Sequence, residues 1–260
     1  MDPRTLVALE HENFIEAMAE ASGLPPGSLI RREAGVALLA SGLPFRLFNQ
    51  VLVAEERATP KAIAAAVETM RDRDARFMVS LRRGVDDRFI PLMTEIGLEL
   101  PADQEPLPGM ALDPIPDAVP PQIDGFDVRA VTDSAGLEEH IVTAAAGFGM
   151  PEEFARAIVA PDLWQRPGRA VYVGYESDVP VTTGLGIRTG RTVGVYNIAT
   201  IESARRRGYG AAMTARVAAD ARADGCEVAI LQASEMGRST YERLGYRVIV
   251  EYDGYVDPGS

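Results

Sequence analysis

The sequence predicts an α+β protein with a mixed, mostly antiparallel central sheet flanked by helices, present as two tandem copies of which the first is degenerate. Three observations carry this. Between Pro101 and Pro121 lie also Pro106, Pro108, Pro114, Pro116 and Pro120, a density no helix interior tolerates, so a domain boundary is expected near Asp117. Beyond it, strand-like and helix-like patterns follow one another in the order β-α-α-β-β-β-α-β-α-β. Before it, part of the same order recurs. The expected domains are residues 1–116 and 117–260.

After the boundary, residues 126–131 read as a strand and 134–148 as a helix running into a Gly-rich stop. Residues 151–160 read as a second helix, with Pro151 at its first position and Glu152 and Glu153 at the positive end of its dipole. Residues 170–175, 181–188 and 193–200 are rich in Val, Tyr and Thr and separated by turn residues, which predicts an antiparallel meander. Ala212, Met213, Ala215, Val217, Ala218 and Ala221 keep helical spacing within 208–224. Residues 227–232 read as a short buried strand, 237–244 as a helix stopped by Gly245, and 246–252 as a final strand. Residues 106–112, with Met110, Ala111 and Leu112, read as a last edge strand of the first domain.

The bulk composition bounds the function. The chain has 260 residues, 47% of them hydrophobic, enough for a substantial core. No apolar run approaches the roughly 18 residues of a membrane span, and Met1-Asp2-Pro3-Arg4 lacks a secretion-signal pattern, so a soluble, cytoplasmic protein is expected. Cys226 is the only cysteine and His11 and His140 the only histidines, which excludes a disulfide framework and a Cys/His metal cluster; metal-free chemistry is expected. A formal net charge of −12 argues against nucleic-acid binding and favours cationic partners. On such a chain a tight basic cluster is informative, and Arg205-Arg206-Arg207 is one.

That cluster sits where an anion would bind. A strand ends at Thr200, residues 201–204 cross over, and Arg205-Arg206-Arg207-Gly208-Tyr209-Gly210-Ala211 leads into a helix. A helix start has unpaired N–H groups and partial positive charge, and glycines admit a pyrophosphate close to the backbone. No Lys-Ser or Lys-Thr completes a P-loop, and Met213 occupies the third glycine position of a dinucleotide fingerprint. A solvated basic helix cap is the bland alternative.

At these residues the chain resembles the GNAT N-acetyltransferases, whose signature Arg/Gln-x-x-Gly-x-Gly/Ala is met by Arg205, Gly208 and Gly210. Asn197-Ile198-Ala199-Thr200 matches the family's splayed strand end. Leu231-Gln232-Ala233-Ser234 and Tyr241-Glu242-Arg243-Leu244-Gly245-Tyr246 look like its fifth strand and its Tyr-Glu-x-Leu-Gly-Phe helix. The resemblance covers about residues 123–255. It implies acetyl-CoA as co-substrate and direct attack by an amine in a ternary complex. It further implies cofactor contacts from Ile198, Ala199, Thr200, Arg205, Arg206, Arg207, Gly208, Tyr209, Gly210, Ala211, Ser234 and Tyr241. A backbone N–H near Ala199 would stabilise the oxyanion, and Tyr241 would protonate the leaving thiolate. Glu235 stands where many relatives carry Asn, a departure at one pantetheine contact.

Acyl transfer also needs a neutral amine, and an ammonium of Lys-like pKa costs roughly 4–5 kcal/mol to deprotonate at neutral pH. Residues 193–200 hold no carboxylate to take that proton, and Glu152 and Glu153 read more simply as helix-dipole residues. Cys226 reads as a packing residue; Trp164, Phe148 and Phe154 read as core or as acceptor-side aromatics. In the first half, residues 46–52, a helix at 60–73, a strand at 76–81 and residues 88–97 echo this order. There Glu55-Glu56-Arg57-Ala58-Thr59 replaces the pyrophosphate loop, with no glycine. The expected activity is acetylation of a small, cationic amine, without nucleic-acid or membrane partners and with a homodimer left open. A peptide acetyltransferase, a non-catalytic acyl-CoA-binding module and, more remotely, a nicotinamide-dependent reductase are the alternatives.

Overall fold

The computed structural model describes residues 1–117 and 119–258. The chain runs α1 (Pro3–Ser22), β1 (Leu29–Glu33), β2 (Val36–Ala40), β3 (Asn49–Val53), α2 (Pro60–Asp72), β4 (Met78–Arg82), α3 (Ile90–Glu95) and β5 (Leu107–Leu112). It continues through β6 (Phe126–Ala130), α4 (Ser134–Phe148), α5 (Glu152–Ala157), β7 (Arg169–Glu176), β8 (Val179–Thr189) and β9 (Thr192–Thr200). It ends with α6 (Tyr209–Ala223), β10 (Val228–Gln232), α7 (Glu235–Arg243) and β11 (Arg247–Tyr255).

Neither of the two compact units is a continuous half of the chain. The larger comprises Met1–Asn13 and Met110–Arg247; the smaller comprises Phe14–Gly109 and the chain from Val248 onward. In the larger unit β6 to β9 form the expected meander, and β10 lies parallel beside β9 after the α6 crossover. Asp133 caps α4 by accepting the Gly136 N–H at 2.8 Å, and Gly149 ends that helix in the left-handed conformation. Buried Val217 and Met213 of α6 reach the sheet where Gly184 and Gly186 lack side chains.

The smaller unit repeats the β-α-β crossover. Strands β1, β2 and β3 are antiparallel, and β4 returns parallel to β3 after α2. Ile63, Ala66, Val67 and Met70 of α2 share one core with Val51, Val53, Val79, Leu81 and Phe89. The helical spacing of those four residues buries a single face.

Two assignments are corrected by the pairing. The final strand was expected to complete the second copy; instead β11 runs antiparallel to β4, with Tyr252 opposite Arg82 and Tyr255 opposite Val79. Tyr255 joins the first-half core, Asp253 pairs with Arg83 at 2.8 Å and Asp257 with Arg71 at 2.7 Å. Strand β5 is likewise not the first domain's edge: Met110 to Leu112 lie beside β10 in the larger unit, with Met110 and Ala111 fully buried. Strand propensity is local and partner choice is not, so the sequence pattern gave the strands without their neighbours. Helix α5 ends at Ala157, short of the predicted residue 160, where Pro161 disfavours helical backbone.

Candidate active site

The site begins with a divergence of strands. β9 and β10 pair only at Thr192 with Val228, Val193 with Ala229 and Gly194 with Ile230, yet β9 continues to Thr200 and β10 to Gln232. Beyond Gly194 they part. On its other side β9 stays bound to β8, with a bulge opposite Gly184 where Asn197 takes φ +50°.

Buried threonines of β8 set the direction of the β9 peptides. Thr183 Oγ1 donates to Asn197 O at 2.7 Å and Thr182 Oγ1 to Ala199 O at 2.6 Å. In a planar trans peptide the N–H points opposite the C=O. The N–H groups of Ile198 and Thr200 therefore face away from β8, toward the opening. The Ile201 N–H returns to Val181 O at 3.0 Å, in step with this alternation. By the same alternation the Ala199 N–H lies on the β8 side, so the donors near Ala199 belong to its two neighbours.

The loop after β9 presents backbone donors at a helix start. Arg206 at φ +64° and Gly208 at φ +87° bend it, and Ala212 N–H is the first of α6 to bond within the helix, to Gly208 O at 3.0 Å. The N–H groups of Tyr209, Gly210 and Ala211 precede it and point out of the helix end. A Cβ on Gly210 would touch Thr200 Oγ1 at 3.6 Å and Ile198 Cγ2 at 3.8 Å, so the loop and the strand end share one space.

The side chains around this space have distinct partners. Arg205 braces the site, donating from Nε to Thr200 O at 3.2 Å and from its terminal NH2 to Gly147 O at 2.9 Å. Arg207 pairs with Glu176 at 2.6 Å. Arg206 is exposed and has no ion pair among the described residues. Tyr209 is buried and stacks on Phe126 with ring centroids 4.3 Å apart, so its side chain belongs to the core. Ser234 caps α7 through the Gly237 N–H at 3.2 Å. Tyr241 packs edge-on against Tyr246, with centroids 6.1 Å apart; a Cβ on Gly237 would fall 2.8 Å from the Tyr241 ring. Burial pushes the Tyr241 phenol up to about 12, so it stays protonated at neutral pH and can act as an acid.

Two other titratable groups are held inert by burial. His140 is fully buried, held neutral by desolvation with its pKa lowered to about 4, and its Nδ1 faces Tyr172 O at 3.0 Å. Cys226 is buried and its thiol pKa is raised by desolvation, as in an inert packing cysteine. Among the described residues no cluster of three or more His, Cys, Asp or Glu could hold a metal, and no helix is long and apolar enough to cross a membrane.

Two contributors were invisible in the sequence. Asn13, fully buried on α1, donates to Ile187 O and Thr189 Oγ1, both at 2.8 Å, and accepts from Tyr196 OH at 2.8 Å. A Cβ on Gly194 would lie 1.9 Å from its Oδ1, so the last paired residue of β9 must be glycine. Gly147 of α4 is the other: its Cβ would sit 2.8 Å from Ala199 Cβ and 3.0 Å from Thr200 N. Glycine in a helix normally gains about 0.5–1 kcal/mol on change to alanine. Here the sign reverses: we expect Gly147→Ala to lose about 1–3 kcal/mol by overpacking and to weaken acetyl-CoA binding. Thermal unfolding with and without acetyl-CoA checks both.

The first half lacks these features. β3 and β4 stay paired from Gln50 to Leu52, and Ser80 Oγ and Arg82 bridge back to Gln50 Oε1 and Val53 O. At the start of α2, Thr59 Oγ1 already accepts the Ala62 N–H at 3.2 Å and Pro60 has no N–H to offer. Glu55, paired with Arg57 at 2.5 Å, lies in the preceding loop.

Residues 167–248 match the family model described as an acetyltransferase (GNAT) domain. No curated protein matches the chain in sequence. Among solved structures it resembles a GCN5-related N-acetyltransferase from Kribbella flavida, at 21% identity over 94% of this chain and 95% of that one, with a TM-score of 0.70. A GCN5-related N-acetyltransferase from Sphaerobacter thermophilus shares 18% identity over 98% and 93%, with a TM-score of 0.61. A tandem GNAT protein from the clavulanic acid biosynthesis pathway shares 14% over 94% and 93%, also at 0.61. The diverging strands, the glycine-bent loop at a helix start and the matched model agree: residues 167–248 carry a GNAT acetyltransferase domain, and the chain has the fold of tandem GNAT proteins, with a degenerate copy of that fold in front.

Proposed function

We propose that the protein transfers an acetyl group from acetyl-CoA to the amine of a small, cationic molecule, by direct attack in a ternary complex. The observation that carries this reading is the divergence of β9 from β10 beyond Gly194, ending at the open N–H groups of residues 209–211. Those groups would receive the pyrophosphate. The pantetheine arm would lie along β9, and the Ile198 or Thr200 N–H would meet the thioester oxygen as it becomes an oxyanion. As the neutral amine nitrogen bonds to the acyl carbon and the C–S bond breaks, Tyr241 gives its proton to the thiolate, which prevents the reverse attack; the nitrogen sheds its extra proton to water, from which the phenol is reprotonated. The net charge of −12 favours a cationic acceptor over an anionic one. A soluble, cytoplasmic enzyme fits this chemistry. A thiol-release assay with acetyl-CoA across polyamines, aminoglycosides and peptides tests the reading; release with peptides alone would transfer it to protein acetylation, and no release with any amine would leave a binding module.

We expect one acetyl-CoA per chain. The closed helix start and paired strands of the first half offer no equivalent site. Calorimetric titration into protein of known active fraction should give a stoichiometry near one; two equivalent sites would contradict the reading of the first half.

A further inference from the structure

The N-terminal helix brings a carboxylate to the diverging strands, where the β9 segment itself has none. Glu10 and Asn13 are three residues apart, so they share one face of α1, separated by about 4.5 Å along its axis. Neighbouring strands lie about 4.8 Å apart. The face spans both arms of the divergence. Asn13 holds the β8–β9 side through Ile187, Thr189 and Tyr196, while Glu10, fully buried, accepts from Gln232 Nε2 at 2.6 Å on β10. Gln232 is two residues beyond the last paired residue, Ile230, and partly exposed.

The hydrogen bond runs from Gln232 Nε2 to Glu10 Oε1, so Glu10 holds the NH2 end of the Gln232 amide. The carbonyl oxygen is then turned outward. A free glutamine amide presents either end; one whose NH2 is pinned by a buried carboxyl presents its carbonyl oxygen as an acceptor. The neighbouring phenol cannot substitute for the carboxylate, because burial and then the charge of Glu10 raise the Tyr196 pKa well above its ordinary value.

We propose that Glu10 is a positioning residue: by fixing the Gln232 amide it directs the Gln232 carbonyl oxygen into the opening between β9 and β10, to accept an N–H of a primary ammonium substrate. The proposal rests on the acyl-transfer reading above and adds where the acceptor nitrogen is recognised. It also gives the first thirteen residues a part in the site.

The test uses the full chain, 15N-labelled and saturated with coenzyme A, titrated with n-butylammonium and, separately, with tetramethylammonium, which carries the same charge without an N–H. The Gln232 side-chain amide pair should shift and saturate with n-butylammonium only. Glu10→Gln keeps the shape but lets the Gln232 amide turn either way, and should weaken n-butylammonium at least tenfold while coenzyme A affinity by calorimetry stays within twofold. Should that variant fail to fold, Gln232→Met, at a partly exposed position, must give the same loss. Equal n-butylammonium affinity in the variants, or a silent Gln232 amide in a chain that binds coenzyme A, overturns this proposal alone. A fall in coenzyme A affinity instead would make Gln232 a pantetheine contact and also overturn it. A wild-type chain that does not bind coenzyme A removes the acyl-transfer reading itself.

Discussion

Gly210→Leu should lower acetyl-CoA affinity at least 100-fold, about 3 kcal/mol, while leaving the fold intact. The two halves of that expectation have separate causes. Gly210 is in the first turn of α6 with an ordinary negative φ, and a Cβ there meets only van der Waals contacts of 3.6 and 3.8 Å, so the backbone tolerates a side chain. The space beyond that Cβ adjoins Thr200 and Ile198 at the helix start, where a pyrophosphate would approach the Tyr209, Gly210 and Ala211 N–H groups. Gly208 is the poorer test, because at φ +87° any other residue adds strain of about 1–3 kcal/mol and would confuse loss of binding with loss of structure. Calorimetry on the folded variant decides it; unchanged affinity would remove the loop from the cofactor site.

Tyr241→Phe should lower kcat by about one to three orders of magnitude with acetyl-CoA affinity little changed, as for a group that acts mainly in the transition state. The phenol is suited to donation and not to acting as a base. Its pKa is raised by burial to about 12, and the protonated form of a raised acid persists at all pH below that value. The ratio of wild-type to variant rates should therefore stay constant between about pH 7 and about pH 9, whatever other groups titrate. A ratio near one would return Tyr241 to a packing role beside Tyr246. A ratio that falls steeply across that range would mean that the phenol ionises far below its raised pKa.

Much of the fold was legible because its signals are local. Asp133 before α4, Gly149 after it, and Gly208 before α6 mark helix ends by chemistry that acts within four residues. The α6 loop was legible for the same reason: Arg205, Gly208 and Gly210 are close in sequence. Helix α1 gave no such signal, since Glu10, His11 and Asn13 are buried along with Leu6, Phe14 and Ala17, and a helix enclosed on several sides has no clean apolar stripe to read.

By itself, then, the sequence determined which segments are strands and helices from residue 126 onward, and which glycine-bent loop opens α6. Only the tertiary structure decided partners. It paired β11 with β4, brought Asn13 against Gly194 from 181 residues away, pressed Gly147 onto Ala199, and set the Arg205 guanidinium against Thr200 O and Gly147 O. The reason is physical. Capping, turn and helix propensities are properties of neighbouring residues, whereas strand partners, buried hydrogen bonds and the facing of peptide N–H groups depend on residues far along the chain, whose contacts exist only once the whole core has formed.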